Sequence, residues 1–138
     1  MGEPYKLTVT TEKLEGNDLA KYSDAEKTVT IDTDYLMNAS ARELTETACH
    51  EARHSYQHAV FNLYRQLKDD PASQIILADI LDEGEKYAEC FATYKEDGLD
   101  YYMQYVEEEC RAYSEDAYAD YVRRITEIEE EKTIGTAN

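Results

Sequence analysis

The pentapeptide His50-Glu51-Ala52-Arg53-His54 constrains this chain more than any other stretch. In a helix the two histidines stand one turn apart and only about 40° from each other around the axis, so both imidazoles reach a single point in space. Neutral imidazoles hold a zinc ion without cancelling its charge, so a water bound to that ion stays acidic. Glu51, about 100° from His50, borders the same opening and is placed to take a proton from such a water. The motif therefore predicts a helix, a Zn²⁺ site begun by His50 and His54, and Glu51 as general base. His58 shares their side, but about 12 Å of rise separates it from His50, too far for both to bind one ion together with His54. It is read as a surface or supporting histidine. The side chain of Cys49 points about 100° away from His50 and is read as a small core residue.

A chain of 138 residues is expected to form one domain with a minimal fold. Its formal net charge of -17 repels phosphate backbones and anionic lipid, which argues against nucleic acid and membrane as partners. A neutral or cationic peptide or protein substrate is the class this field admits. Three cysteines without CxxC spacing, no N-terminal leader pattern and no apolar run of membrane length predict a reduced, cytoplasmic protein.

The expected fold class is α+β: mostly helical, with a small antiparallel sheet in the β-rich residues 1–38 ahead of the motif helix. Residues 5–10 and 27–32 alternate as strands do, residues 19–22 offer a third strand, and Glu15-Gly16-Asn17-Asp18 reads as a turn. A strand edge there would pair with an extended substrate backbone. Ser40 and Glu43 form a capping box that opens a helix over 40–68. On an ideal wheel Thr45, Ala48, Cys49, Ala52, Tyr56, Ala59, Leu63 and Leu67 make its core stripe, with His50, His54 and Phe61 nearly opposite. Pro71 starts further helices over 71–95, which Gly84 interrupts and Glu96-Asp97-Gly98 ends. The last helix is expected over 100–130, with Val106, Cys110, Tyr113, Ala117, Tyr121 and Ile128 as its buried stripe and the final eight residues frayed. Glu108 faces away from that stripe, while Glu107 and Glu109 border it. A three-ligand site needs a carboxylate beside the two histidines, and either residue is a candidate.

His50-Glu51-Ala52-Arg53-His54 followed by a helix carrying Glu107-Glu108-Glu109-Cys110 resembles the gluzincin class of zinc metallopeptidases, whose third ligand is a glutamate on a second helix. More narrowly, Cys49 to Gln57 and Tyr101 to Glu107 look like the HExxHxYQ and YYxQPxExDA motifs of a group of small bacterial zincin-like proteins. The resemblance implies a zincin-like fold, His50, His54 and Glu107 as metal ligands, and Glu51 as catalytic base. Arg111 stands where thermolysin-like gluzincins carry an aspartate that supports the first histidine, so the acceptor must come from elsewhere, Glu109 or Glu46.

The chemistry expected is hydrolysis of a peptide bond by a zinc-bound water, with Glu51 passing the proton to the leaving amine. Among the thirteen tyrosines, Tyr105 and Tyr113 lie nearest the motif as donors to an oxyanion. The alternative is a non-catalytic, zinc-stabilised peptide-binding or regulatory module, since so short a chain has few residues to wall a substrate site.

Overall fold

A helix of 27 residues, α2 (Ala41–Leu67), runs through the middle of the molecule, and the sheet and two of the later helices pack directly on it. In the computed structural model, residues 6–96 and 98–137 are described, with side chains to residue 135. Tyr5 of the expected first strand, Asp97 of the expected break and Asn138 of the expected frayed end lie outside the described residues.

The fold is α+β. Three strands come first, β1 (Thr8–Glu12), β2 (Ala20–Ser23) and β3 (Thr28–Asp32), in the spatial order β1-β3-β2. β2 and β3 form an antiparallel hairpin, but β1 runs parallel to β3 with Val9 opposite Val29. The sheet is therefore mixed rather than antiparallel. Residues 13–19 carry the chain past the position beside β1 that a meander would fill, and β3 returns into that gap. Gly16 supplies the left-handed backbone (φ 63°) for this connection. Val29, Thr30 and Ile31 of the central strand are buried, whereas all of β1 is exposed.

A short helix, α1 (Thr33–Asn38), occupies part of the stretch expected to be β-rich. Asp32 creates it: the carboxylate accepts from the backbone N–H of Tyr35 at 3.1 Å as N-cap and from that of Leu14 at 2.9 Å. One side chain thus ends β3, starts α1 and pins the β1–β2 connection. The backbone N–H groups of Leu14 and Tyr35 hold its carboxyl below the ordinary aspartate value.

The capping box of α2 is present, with Ser40 Oγ accepting from the Glu43 N–H at 3.2 Å and the Glu43 carboxylate accepting from the Ser40 N–H at 2.7 Å. The buried face is not the one the apolar stripe predicts. Ala48 and Ala59 are exposed and Tyr56 is 39% exposed, while Glu51, Ser55, Gln57 and Val60 are buried and His50 and His54 mostly so. Small alanines contribute little to burial. The polar face is enclosed because His50, His54 and Gln57 find hydrogen-bond partners on the last helix and Ser55 bonds back to the Ala52 carbonyl, which offsets their desolvation.

Two further helices, α3 (Pro71–Ile76) and α4 (Ala78–Ala92), follow, and α4 runs unbroken through Gly84. Gly84 marks a close approach rather than an interruption: a Cβ there would collide with Cβ of Tyr64 and lie 3.2 Å from the Val60 carbonyl oxygen on α2. The last two helices are α5 (Gly98–Met103) and α6 (Tyr105–Ala137), separated at Gln104. Val106 and Cys110 are fully buried, as the expected stripe requires, but Tyr113, Tyr121 and Ile128 are 41, 54 and 46% exposed. The stripe holds only where α2 lies alongside. Beyond it α6 continues as an exposed helix through residues expected to fray, laced by Arg123 bonded to Asp120 at 2.7 Å and Glu127 at 2.8 Å. No helix among the described residues is long and apolar enough to cross a membrane.

Gly84→Ala is expected to lower the unfolding free energy by about 1–2 kcal/mol, because the collision is with Tyr64 Cβ and backbone, which places the overpacking cost in the upper part of about 1–3 kcal/mol, against a gain in helix propensity of about 1 kcal/mol. Urea denaturation of the two proteins measures the difference.

Candidate metal centre

The cluster on the buried face of α2 is assembled from residues one helical turn apart and a carboxylate 57 residues later in the chain. The His50 and His54 rings lie 5.0 Å apart between centroids at 74°. His50 Nε2 is 3.0 Å from Glu107 Oε2, and His54 Nε2 is 3.3 Å from Glu107 Oε1. Both imidazoles therefore aim the same nitrogen at the two oxygens of one carboxylate, which is only 1% exposed. Tyr94 donates its hydroxyl hydrogen to Glu107 Oε1 at 2.7 Å.

Glu107 reaches this position through a backbone clamp. The side-chain amide of Gln104 accepts from the Lys95 N–H at 3.1 Å and donates to the Lys95 carbonyl at 2.9 Å, joining the first turn of α6 to the segment after α4. The same clamp holds Tyr94, the neighbour of Lys95, against Glu107. Burial alone would push the Glu107 carboxyl up. Hydrogen bonds from His50, His54 and Tyr94 reverse this and hold it well below the usual carboxylate range. His54 shifts the other way: burial disfavours its charge, but contacts with Cys110 and Glu107 raise its pKa overall.

His54 is oriented from behind by Gln57, which is fully buried. Gln57 Nε2 donates to the Val106 carbonyl at 3.0 Å and to Glu109 Oε1 at 3.1 Å, so Gln57 Oε1 is the acceptor facing His54 Nδ1 at 2.9 Å. His54 therefore carries a hydrogen on Nδ1 and directs Nε2 at Glu107. Glu109 is the next group back. It accepts from Arg53 Nε at 3.1 Å, and the Tyr87 hydroxyl lies 2.7 Å from it and 2.6 Å from Glu83. Arg53 also packs over the rings of Tyr56 and Tyr113, at 4.0 and 5.0 Å.

Of the two candidate carboxylates, Glu107 meets the histidines and Glu109 meets Arg53, Gln57 and Tyr87; Glu108 is exposed. Glu109 therefore reaches the cluster at His54, through Gln57, rather than at His50, the histidine it was expected to support, and Glu46 pairs with Arg42 at 3.1 Å. Arg111 packs its guanidinium over the Tyr102 ring and donates to the Tyr102 carbonyl, which fastens α6 to α5. His58 stands apart from the cluster, stacked on Phe91. Cys49 is half-buried and outside the cluster.

Cys110 is closer than its reading as a core residue implied. His50, His54 and Cys110 bring ligand atoms within 4.8 Å of one another and form a group able to hold a metal ion. Its Sγ lies 3.4 Å from His54 Nδ1, the opposite edge of the ring from Glu107. Its spacing of three residues from Glu107 places both side chains on one side of α6, the one local sign in the sequence.

Glu51 is buried to 9% exposure and lines two cavities, of about 550 and 390 Å³, that meet over it. Burial raises its carboxyl pKa, and the charge of Glu107 adds to this against the pull of His54 and His50. Tyr105 and Tyr113 do not line this cleft: they lie about 200° and 240° around α6 from Glu107, where Tyr105 stacks with Tyr87. The tyrosines on the larger cavity that the sequence left without a site role are Tyr94 and Tyr101, and Tyr101 borders both cavities. Burial, with the charges of Glu107 and Glu51, pushes the Tyr101 hydroxyl up to about 12, so it remains a donor at neutral pH.

Gln57→Leu is expected to lower the unfolding free energy by about 1–3 kcal/mol, because it strips partners from His54, Glu109 and the Val106 carbonyl in a buried setting. Chemical denaturation gives the size of that loss. Comparison with family models, with curated proteins and with solved structures finds no match to this chain.

Proposed function

We propose that this chain is a zinc-dependent metallopeptidase of the gluzincin type, with His50, His54 and Glu107 as metal ligands and Glu51 as general base. The observation that carries this reading is the convergence of both imidazole Nε2 atoms on the two oxygens of buried Glu107, at 3.0 and 3.3 Å, beside a carboxylate that lines an open cleft. Two imidazoles and one carboxylate are the donor set of an open, catalytic zinc site. A zinc ion held there supplies acidity to a water and polarises a carbonyl oxygen. Glu51 takes the water proton and returns it to the leaving amine. Tyr101 is the hydroxyl best situated to donate to the developing oxyanion. Three consecutive β2 residues, Ala20, Lys21 and Tyr22, border the larger cavity. Side chains of a strand alternate between faces, so such a run means that the strand edge faces the cleft, where an extended peptide backbone can pair. The charge of -17 favours neutral and cationic peptides.

A second reading rests on Cys110. If the thiolate of Cys110 joins His50, His54 and Glu107 and closes the fourth position, the donor set is that of a structural site, and the chain is a metal-stabilised peptide-binding or regulatory module that cleaves nothing. An imidazole binds a metal through one nitrogen at a time. With Nδ1 committed to Gln57, His54 presents Nε2 to Glu107, which favours the first reading.

Elemental analysis of purified protein is expected to find one zinc per chain. Glu107→Gln should lose it and Cys110→Ala should retain it; the reverse pattern assigns the third ligand to Cys110 instead, and loss of zinc from both variants supports the closed structural site. Glu51→Gln is expected to keep the metal and abolish chelator-sensitive cleavage of a mixed peptide library, and undiminished cleavage by that variant removes the mechanism. Tyr101→Phe is expected to lower kcat by about 100-fold with little change in KM, measured on whichever library peptide is cut fastest.

A further inference from the structure

The two cavities share Asp18, Ala20, Glu51 and Tyr101, so they are two arms of one cleft meeting over Glu51. Their walls differ. The smaller arm, on the His50 side, is bordered by Asn17, Glu46, Thr47 and Ser114. The larger arm, on the His54 side, is bordered by Tyr22, His58, Phe61 and Phe91. We propose that the larger arm is a binding pocket for one aromatic or large aliphatic side chain, and that the substrate carries such a residue on one flank of the cleaved bond only. The word substrate here rests on the peptidase reading above; the pocket itself does not.

The rings are held in place before any ligand arrives. Phe91 is the hub: His58 stacks on its face at 4.6 Å and 12°, and Phe61 meets it edge-on at 5.3 Å and 78°. His58 in turn meets Tyr22 of β2 at 5.8 Å, so α2, α4 and the sheet each contribute one wall. Burial pushes the His58 pKa down against the pull of Asp24, which keeps the ring neutral and suited to an apolar neighbour. A fixed wall of rings binds an apolar group without first ordering its own side chains. The volume of about 550 Å³ lies in the range that encloses a drug-sized ligand, enough for a large side chain and the backbone next to it. The carboxylates at this arm, Asp18 and Glu96 with the Glu51 and Glu107 of the candidate metal centre, outnumber Lys21, so a cationic side chain is the competing occupant and it is the wall of rings that selects an apolar one.

The chain contains no tryptophan, so the emission of N-acetyl-L-tryptophanamide reports its own surroundings without a protein background. Titration of the wild-type protein into this neutral probe is expected to give a saturable blue shift. Ala20→Phe, which fills the arm from the strand, should weaken that binding at least tenfold with an unchanged circular dichroism spectrum; Phe91→Ala, where it folds, should do the same from the opposite wall. In a mixed peptide library, cleavage products should be enriched in Phe, Tyr, Trp or Leu on one side of the cut and not on the other. Absence of saturable binding, binding unaffected by Ala20→Phe, or products with no preference or a preference for Lys or Arg, overturns the pocket and leaves the peptidase reading intact. Retained, variant-sensitive probe binding without any cleavage supports the pocket and sinks the peptidase reading instead.

Discussion

A carboxylate with 1% exposure is an expensive group to bury, and the placement of α2 against α6 follows from how Glu107 is satisfied. Three donors reach it, two from α2 and one from the segment after α4, so the three helical parts of the molecule meet at one charge. The apolar cluster beside it is small: Val60, Tyr87 and Val106, with Phe61, Ile80, Cys90 and Phe91 packed around them. In most domains of this length the apolar core fixes the helix packing and polar groups decorate it. Here the polar junction supplies the specificity of the α2–α6 contact, and the apolar cluster closes off one end. Removing one partner from a buried ion pair leaves the other charge unpaired, typically a loss of about 3–5 kcal/mol.

Behind that junction lies a second polar layer, in which each group is oriented by the one before it. Gln57 cannot be turned around, because its amide nitrogen faces two acceptors, the Val106 carbonyl and Glu109. That fixes a hydrogen on Nδ1 of His54. Glu109 is itself fixed by Arg53 and Tyr87, and Tyr87 reaches Glu83 on α4. An acidic glutamate directly behind a histidine would draw its proton and strengthen it as a ligand; a neutral amide orients the ring with less transfer of charge. At His54 that partner is the Gln57 amide, while Arg111, where the resemblance placed an acidic partner for His50, is engaged at Tyr102.

The motif helix was readable because its signals are local. The capping box, the one-turn spacing of His50 and His54 and the break at Pro71 each involve residues within four positions, and local geometry fixes them whatever the rest of the chain does. Burial of α2 was not readable, since apolar periodicity points to the alanine side while the burial of Glu51 and Gln57 depends on partners about 50 residues away. The same limit applies to the sheet: alternation marked the strands, but the parallel pairing of β1 with β3 is set by the path of residues 13–19. Gly84 looked like a helix breaker because its effect on α4 is local and its reason, Tyr64 on the facing helix, is not. In the cluster, Glu107 was narrowed to two candidates by its place on a helix border. Gln57 had a sign, three residues from His54 on one helical side, and Tyr101 opened the second of the resembling motifs without a role attached to it, whereas Tyr94 had no sign as a site residue.

The exposed end of α6 bears on how so short a chain makes a cleft at all. A helix of 33 residues spends its first three turns on Glu107, Cys110 and Ser114, and from Tyr121 onward every described side chain is exposed. The walls around Glu51 therefore come from elsewhere: from β2 on one side, from Phe91 at the end of α4, and from Tyr94 and Tyr101 in and around α5. Each of these is tied to α2 or α6 through a polar contact or a ring stack rather than through an extended apolar interface. Tyr94 is held by Glu107 and its neighbour Lys95 by Gln104, so the wall nearest the histidines depends on the same carboxylate that joins the helices. Loss of Glu107 would remove a donor from the proposed metal centre and the anchor of the cleft wall together. The two consequences separate in Glu107→Gln, which keeps a hydrogen-bonding group for Tyr94 while giving up the charge that a divalent ion requires.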